Sequence, residues 1–483
     1  MTRVAELFFP AIRWDGQRGF ELERASIERA LDAGVGGFIL FGGAAEQVAV
    51  LTEELHAKSR CKLLIGADLE RGAGQQFHGA TALPPLAAIA SLDSVDDIRR
   101  AGSATARDAR SLGVNWVYAP DCDLDIEPDN PIVGTRSLGS DPRKVGELAA
   151  AWIAACQSQN VLACAKHFPG HGRTTTDSHA ELPRVDASAS ELDSSDIVPF
   201  KAAIDAGVAS VMSAHVQFPA LDSSGAPATL SSPILRDLLR TRLRFTGLVI
   251  TDALIMEGVL GGGEREAVVG AVDAGCDCLL YPKDLEGSIA AVNHAIESGR
   301  LESDRVRASL ERRDRWAGWA AKTPARQMTS DDSAWASALA ERVIHPIGSA
   351  LPRLVAPLRI VVVDDDIGGP YPPPSREPFL ESLIEHGVTI MTEDEKEQIE
   401  IGTTVIALYG DIRAWKGRPG YSAASRARVR QIAESARSQG VVIVQFSHPR
   451  LAGEIGGDAP ILCAWGGEPV MQRAAAHVLL QSL

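Results

Sequence analysis

Residues 161–167 read Val161-Leu162-Ala163-Cys164-Ala165-Lys166-His167, five apolar residues without a break and then two polar ones. A strand with one wet face alternates apolar and polar residues. A strand buried on both faces does not, and this is the habit of parallel sheets covered by helices. Seven further runs of this kind occupy the first 285 residues: Val4–Phe9, Gly37–Phe41, Lys62–Ala67, Trp116–Ala119, Ser210–Ala214, Leu248–Thr251 and Cys278–Tyr281. Helix signals separate most of them. Ser94, with Asp97 three residues on, opens a helix that stops at Gly113, and another spans about Asp196 to Ala206 before Gly207. Eight buried strands alternating with helices predict a (β/α)8 TIM-type barrel rather than an open doubly wound sheet.

Such a barrel carries its chemistry where strands end and βα loops begin. Polar residues stand at those ends. They are Asp68 after Leu63–Ala67, Asp121 and Asp123 after the Tyr118 run, Lys166 and His167 after Val161–Ala165, His215 after Val211–Ala214, and Asp252 after Leu248–Thr251. A single carboxylate or imidazole at a strand end is most simply a helix cap; the recurrence of such groups at five ends points to a site.

The C-terminal part is organised differently. Leu310 to Pro357 is rich in Ala, Arg, Ser and Asp and reads as connecting helices, after which the runs Leu358–Val363, Thr404–Leu408, Val441–Phe446 and Ile461–Ala464 alternate with helical stretches. The expected division is a catalytic barrel over residues 1–325, a helical linker over 326–350 and a smaller layered α/β domain over 351–483.

Composition narrows the functional classes. The 483 residues carry a formal charge of −15, with 45% hydrophobic and 23% charged residues, which excludes disorder. Forty-eight Lys and Arg against 63 Asp and Glu, without a basic run, argue against a nucleic-acid partner. No window reaches the roughly 18 apolar residues of a membrane helix. The apolar stretch at the N-terminus is too short for a secretion signal and is interrupted by Glu6. The seven cysteines are odd in number and mostly set in apolar runs, as in a reducing compartment. A cytoplasmic location is the expectation. Cys276-x-Cys278 lacks a second pair, so no metal site is expected there.

The densest polar segment is Lys166-His167-Phe168-Pro169-Gly170-His171-Gly172-Arg173-Thr174-Thr175-Thr176-Asp177-Ser178-His179, with three of the eleven histidines. His167 and His171 have helical metal-ligand spacing, but Pro169 and Gly170 make a helix there improbable. The segment reads as an ordered loop leaving a strand. Asp177 and His179 are close enough for the carboxylate to orient the imidazole and raise its pKa, giving a general acid/base. Asp252, among largely apolar neighbours at a strand end, is a candidate nucleophile. No Gly-x-Ser-x-Gly elbow and no phosphate-cradling glycine motif occurs.

At these residues the chain resembles the bacterial β-N-acetylglucosaminidases of glycoside hydrolase family 3. The resemblance rests on the 166–179 loop, Asn130-Pro131-Ile132-Val133-Gly134-Thr135-Arg136-Ser137 before it, Val211-Met212-Ser213-Ala214-His215 after it and Ile250-Thr251-Asp252-Ala253-Leu254 beyond, in the family's order. It implies that Asp252 is the nucleophile of a retaining double displacement, with His179 assisted by Asp177 as acid/base. It further implies that Asp68, Arg136, Lys166 and His167 hold the hydroxyls of the terminal sugar. His215 is read as pocket lining on the substrate side. The second domain looks like a shortened form of the family's α/β sandwich. No cofactor is implied, because two-step displacement needs only the two catalytic side chains.

Two departures from the family pattern stand out. The usual Asp-x-Glu-Gly-Gly-Arg is here Asp68-Leu69-Glu70-Arg71-Gly72-Ala73, so a second sugar-contacting arginine is missing or displaced to Arg71, and the Asp that usually follows the loop's His-Gly is Arg173. Arg173 adds positive charge that would favour an anionic acceptor. A His acid/base is neutral once it has given up its proton and repels phosphate less than a carboxylate does. The sequence therefore leaves open a phosphorylase giving a sugar 1-phosphate, and a β-glucosidase of the same family; a non-catalytic sugar-binding protein would be expected to lose Asp252 or His179 first. Small muropeptide or chitin fragments are the expected substrates.

Overall fold

The structure, a computed structural model, describes residues 3–178, 181–256, 259, 261–321, 330–366, 373–391, 402–412 and 416–483. The chain forms two compact units. The first comprises Met1–Ala82, Ser94–Glu127 and Ser137–Ser330, the second Leu83–Asp93, Pro128–Arg136 and Asp331–Leu483.

The first unit contains β1 (Phe8–Phe9), β2 (Ala11–Arg13), β3 (Gly37–Phe41), β4 (Leu64–Ala67), β5 (Trp116–Val117), β6 (Cys164–Phe168), β7 (Ser210–Ser213), β8 (Leu248–Ile250) and β9 (Leu279–Leu280). All pairings among them are parallel. They run β2-β3-β4-β5 and β6-β7-β8, the bridges Trp116↔Leu162 and Ile250↔Cys278 join these sheets to each other and to the last strand, and β9 pairs with β1. Pro10, which has no N–H to give a ladder, separates β1 from β2, while its carbonyl still accepts from Ile39 N at 3.0 Å. With β1 and β2 taken as two halves of one strand, eight strands close on themselves as expected.

Most of the strands are shorter than the apolar runs that predict them, and two boundaries differ for an identifiable reason. Val4–Leu7 is a 3-10 turn, and the first strand starts only at Phe8. Glu6 marks the difference: its N–H donates to the Arg3 carbonyl at 3.0 Å within the turn and not to a neighbouring strand, while its carboxylate accepts from Arg3 Nε at 2.6 Å and from Arg313 Nη1 at 2.9 Å. On the other side, β6 runs on through Lys166 and His167 to Phe168. Cys122 N donates to the Lys166 carbonyl at 2.6 Å, so the neighbouring chain extends the pairing past the apolar run.

Period-two alternation turns every second residue of each strand into the barrel. Phe9, Ile39, Leu64, Trp116, Cys164 and Ile250 share one buried cluster there. Close approach at two strands requires glycine. A Cβ on Gly37 would lie 1.7 Å from the Leu64 carbonyl oxygen, and one on Gly66 would lie 2.2 Å from the Tyr118 hydroxyl. The helix Ser303–Ala320 places Ala317 and Ala320 in the same cluster.

The second unit contains β10 (His345–Ile347), β11 (Leu358–Asp364), β12 (Ile390–Met391), β13 (Thr404–Tyr409), β14 (Val441–Phe446) and β15 (Ile461–Cys463), in the order β10-β15-β14-β13-β11-β12. Only β10 is antiparallel. Leu358, Ile360, Val405 and Ala407 face one core and Val361, Val363, Ile406 and Leu408 the other, so helices cover both faces of the sheet. Residues 331–350, expected as part of a linker, supply the helix Ser330–Val343 and the edge strand β10 to this unit.

A buried charge cluster ties the first unit together. Asp277 is fully buried and accepts from Ser309 Oγ at 2.8 Å, Arg312 Nη2 at 2.9 Å, Val249 N at 3.0 Å and Arg240. Burial alone would raise its pKa; the Arg240 and Arg312 charges outweigh that and hold it below the usual carboxylate range. A depressed pKa stabilises the fold above the unfolded carboxylate value of about 3.9 and loses that contribution as pH falls through the folded value. Asp277→Asn should therefore cost about 3–5 kcal/mol at pH 7. In urea unfolding of both proteins, the gap should shrink below pH ~4; a pH-independent gap would contradict this ionic origin.

Candidate active site

The alternation that fills the barrel also selects what its C-terminal mouth presents. Continuing β4 by one residue gives Asp68, β6 carries Lys166 at the same inward phase, and continuing β8 gives Asp252. Lys166 Nζ lies 2.8 Å from Asp68 Oδ1 and 2.6 Å from Glu70 Oε1. The lysine side chain is 2% exposed, and two carboxylates offset the desolvation of its ammonium. A third of the Asp68 side chain remains exposed, so this carboxylate can accept from a ligand hydroxyl while Lys166 fixes its orientation. Glu70 was not singled out by the sequence reading. Its position two residues beyond Asp68, followed by a glycine-rich turn, was the available signal.

Asp123 is the second centre. It has no exposed surface, and it accepts from His167 N at 3.2 Å, from His171 N at 2.6 Å and from His167 Nδ1 at 2.7 Å. The carboxylate can only accept, so His167 carries a proton on Nδ1. Asp121 Oδ1 in turn accepts from Asp123 N at 2.9 Å. Asp121, Asp123 and His167 have ligand atoms within 4.8 Å of one another, the spacing of a metal site. The hydrogen bonds within the group suit a different task, the orientation of His167 and of the loop that follows.

That loop is pinned from inside. His171 Nδ1 pairs with Thr174 Oγ1 at 2.7 Å and His171 Nε2 with Ser178 Oγ at 3.1 Å, which brackets the segment carrying Asp177. Asp177 is buried. Gly172 is required because a Cβ would lie 2.2 Å from the Leu124 carbonyl oxygen. His179 lies outside the described residues. Arg173 Nε donates to Asp196 Oδ2 at 2.9 Å, and Asp196 is almost fully buried. Burial raises the Asp196 pKa against the opposing pull of Arg173. The charge expected to attract an anion is thus engaged in holding the loop.

Asp252 Oδ1 accepts from Ala253 N at 2.7 Å, which fixes one carboxylate oxygen. His215 is fully buried, with Nδ1 2.8 Å from Thr229 Oγ1 and Nε2 3.2 Å from the Ala253 carbonyl oxygen. Arg136 belongs to the second unit. Its Nη1 donates to the Ile132 carbonyl at 3.3 Å, and its turn is fixed by Thr135 Oγ1 to Asp411 Oδ1 at 3.4 Å. Arg71 N donates to Gln75 Oε1 at 2.8 Å. Burial pushes the Cys276 thiol up to about 12 and the Cys278 thiol well above its ordinary value, so both are protonated at neutral pH.

Residues 3–315 match the sequence profile described as "Glycosyl hydrolase family 3 N terminal domain", and the chain belongs to glycoside hydrolase family 3. It is 36% identical over 288 residues to a beta-N-acetylglucosaminidase/beta-glucosidase of Cellulomonas fimi, a match covering 58% of this chain and 51% of that protein, about half its length. It is 37% identical over 273 residues to a beta-hexosaminidase of Thiobacillus denitrificans, covering 54% of this chain and 75% of that one. Among solved structures it is similar to a family 3 beta-N-acetylglucosaminidase from Paenibacillus sp., with TM-score 0.86 and 26% identity over 100% of this chain and 96% of the other. A beta-glucoside phosphorylase shares the fold with TM-score 0.84 at 20% identity, covering 99% of this chain and 91% of that one.

Glu70→Gln tests the lysine clamp. A lost charge-assisted hydrogen bond of about 1.5–3 kcal/mol should lower kcat/KM on an aryl glycoside on the order of 10- to 100-fold, mostly through KM. Unchanged kinetics would remove Lys166 and Glu70 from ligand binding.

Proposed function

We propose that this glycoside hydrolase is a retaining, exo-acting β-N-acetylglucosaminidase that removes terminal N-acetylglucosamine from small glycosides. The observation that carries the reading is the set of groups at one barrel mouth: a carboxylate at the end of β8, and the Asp68–Lys166–Glu70 clamp at the ends of β4 and β6. Asp252 attacks the anomeric carbon and His179, oriented by Asp177, protonates the leaving oxygen. The covalent glycosyl-enzyme is then attacked by an acceptor that His179 deprotonates. Asp68, Lys166 and His167 hold the sugar hydroxyls, with Arg136 in the role implied by the family motif. Relatives bearing the names beta-hexosaminidase and beta-N-acetylglucosaminidase support the choice of sugar. The muropeptide or chitin fragments expected as substrates suit a cytoplasmic enzyme that acts on imported small molecules, in peptidoglycan recycling.

The double name of the Cellulomonas relative favours a second reading, activity on glucosides alongside N-acetylglucosaminides. Phosphate in place of water as the acceptor belongs to the same proposal, since a neutral His repels it little.

Aryl β-N-acetylglucosaminide and β-glucoside, each with and without phosphate, separate these readings when the products are resolved. The wild type should release aryl alcohol from the N-acetylglucosaminide, and Asp252→Asn should lose at least about 10³-fold in kcat, as covalent catalysis requires. Sugar 1-phosphate as product would make the enzyme a phosphorylase, and cleavage of the glucoside alone would overturn the sugar assignment.

A further inference from the structure

The turn that carries Asp252 is held by groups to which no part in the reaction has been given. Ala253 N donates to the Asp252 carboxylate, while the Ala253 carbonyl accepts from Met256 N at 3.1 Å and lies 3.2 Å from His215 Nε2. Leu254 N donates to the Leu280 carbonyl at 2.9 Å, which fixes the same turn to β9. A carbonyl can only accept, so His215 carries a proton on Nε2 and donates it to Ala253. On the other side of the ring, Nδ1 faces Thr229 Oγ1 at 2.8 Å, and Thr229 Oγ1 stands 3.1 Å from the Ala214 carbonyl and 3.0 Å from Ser213 Oγ. The single proton of the Thr229 hydroxyl goes to the Ala214 carbonyl, which can only accept, and the hydroxyl oxygen meets the ring at Nδ1. Both imidazole nitrogens are thus turned toward the protein, and the ring has no exposed surface.

We infer that His215, locked by Thr229, is a positioning residue for the nucleophile and not a contact to the sugar. It holds the Ala253 carbonyl, and so fixes the residue whose N–H in turn holds the Asp252 carboxylate oxygen. The inference rests on Asp252 being the nucleophile. A carboxylate displaced by even a fraction of an ångström from the line of attack loses rate without losing sugar affinity, because the hydroxyl-binding groups lie on other strands. Thr229 holds the ring from its far side: with the hydroxyl removed, the imidazole loses the contact at Nδ1 that fixes its angle toward the Ala253 carbonyl.

The test compares His215→Ala, His215→Gln, Thr229→Val and Thr229→Ser with the wild type. The readouts are kcat and kcat/KM on a 2,4-dinitrophenyl N-acetylglucosaminide, whose leaving group needs no acid, the inhibition constant of free N-acetylglucosamine, and the melting temperature. His215→Ala should lower kcat on the order of 10- to 100-fold, by analogy with misplacement of a reacting group by about 1 Å. The inhibition constant should stay within about twofold, and His215→Gln, which keeps a donor for the Ala253 carbonyl, should recover part of the loss. Thr229→Val should fall in the same direction and Thr229→Ser should not. A rise in the inhibition constant matching the loss in kcat/KM would make His215 a sugar contact and overturn the inference. Loss of activity in step with a fallen melting temperature, with no recovery in His215→Gln, would also overturn it by assigning a structural role only. Asp252→Ala, assayed with and without azide, is the control on the underlying reading: an active Asp252→Ala enzyme defeats the nucleophile assignment, whereas an azide-rescued Asp252→Ala beside a fully active His215→Ala defeats only the positioning role.

Discussion

A parallel ladder that closes on itself leaves each strand one inward and one outward phase, and the site depends on that constraint. The pairing of Phe8 and Phe9 with Leu279 and Leu280 completes the circuit. Once it is complete, a shift of any strand by one residue would send its terminal polar side chain into the helical layer. Asp68, Lys166 and Asp252 share a mouth because they share a phase with Leu64, Cys164 and Ile250, which fill the barrel below them. The core and the site are therefore products of one register. The glycines at 37 and 66, where a Cβ would strike a carbonyl and a tyrosine hydroxyl, let the strands approach closely enough to keep it.

Electrostatics then divides the mouth into groups that face a ligand and groups that hold the others in place. Lys166 is too deeply buried to act as a mobile cation, and its two carboxylates turn it into a rigid donor. Asp123 is spent on two backbone N–H groups and one imidazole, which makes the start of the 166–179 loop an extension of the barrel wall. Farther along, Arg173 with Asp196 and His171 with Thr174 and Ser178 hold the segment around Asp177. Fixed dipoles and charges of this sort reduce the reorganisation needed when charge develops in a transition state.

Much of this was legible in the chain. The unbroken apolar runs showed the barrel because burial on both faces erases alternation, and the polar residues at five of their ends are the groups on which the proposed site is built. Less legible were features set by contacts far apart in sequence. Val4–Leu7 has strand-like composition, yet Glu6 is claimed by Arg313 some three hundred residues on. The run ending at Ala165 concealed three more strand residues, because a charged lysine can continue a buried strand only when partners such as Asp68 and Glu70 await it. Arg173 reads as added positive charge until Asp196 is seen to neutralise it. His215 reads as lining until both of its nitrogens are seen to be engaged, and residues 331–350 read as a connector because β10 is recognisable only through its pairing with β15.

The central claim is that Asp252 forms the covalent bond to the sugar. A 5-fluoro-N-acetylglucosaminyl fluoride, which forms a glycosyl-enzyme quickly and releases it slowly, tests this directly when the labelled protein is digested and its peptides are weighed. The account predicts one added sugar on the peptide containing Asp252, and none in Asp252→Asn. A sugar attached to another carboxylate, or turnover of the fluoride without any labelled peptide, would contradict it.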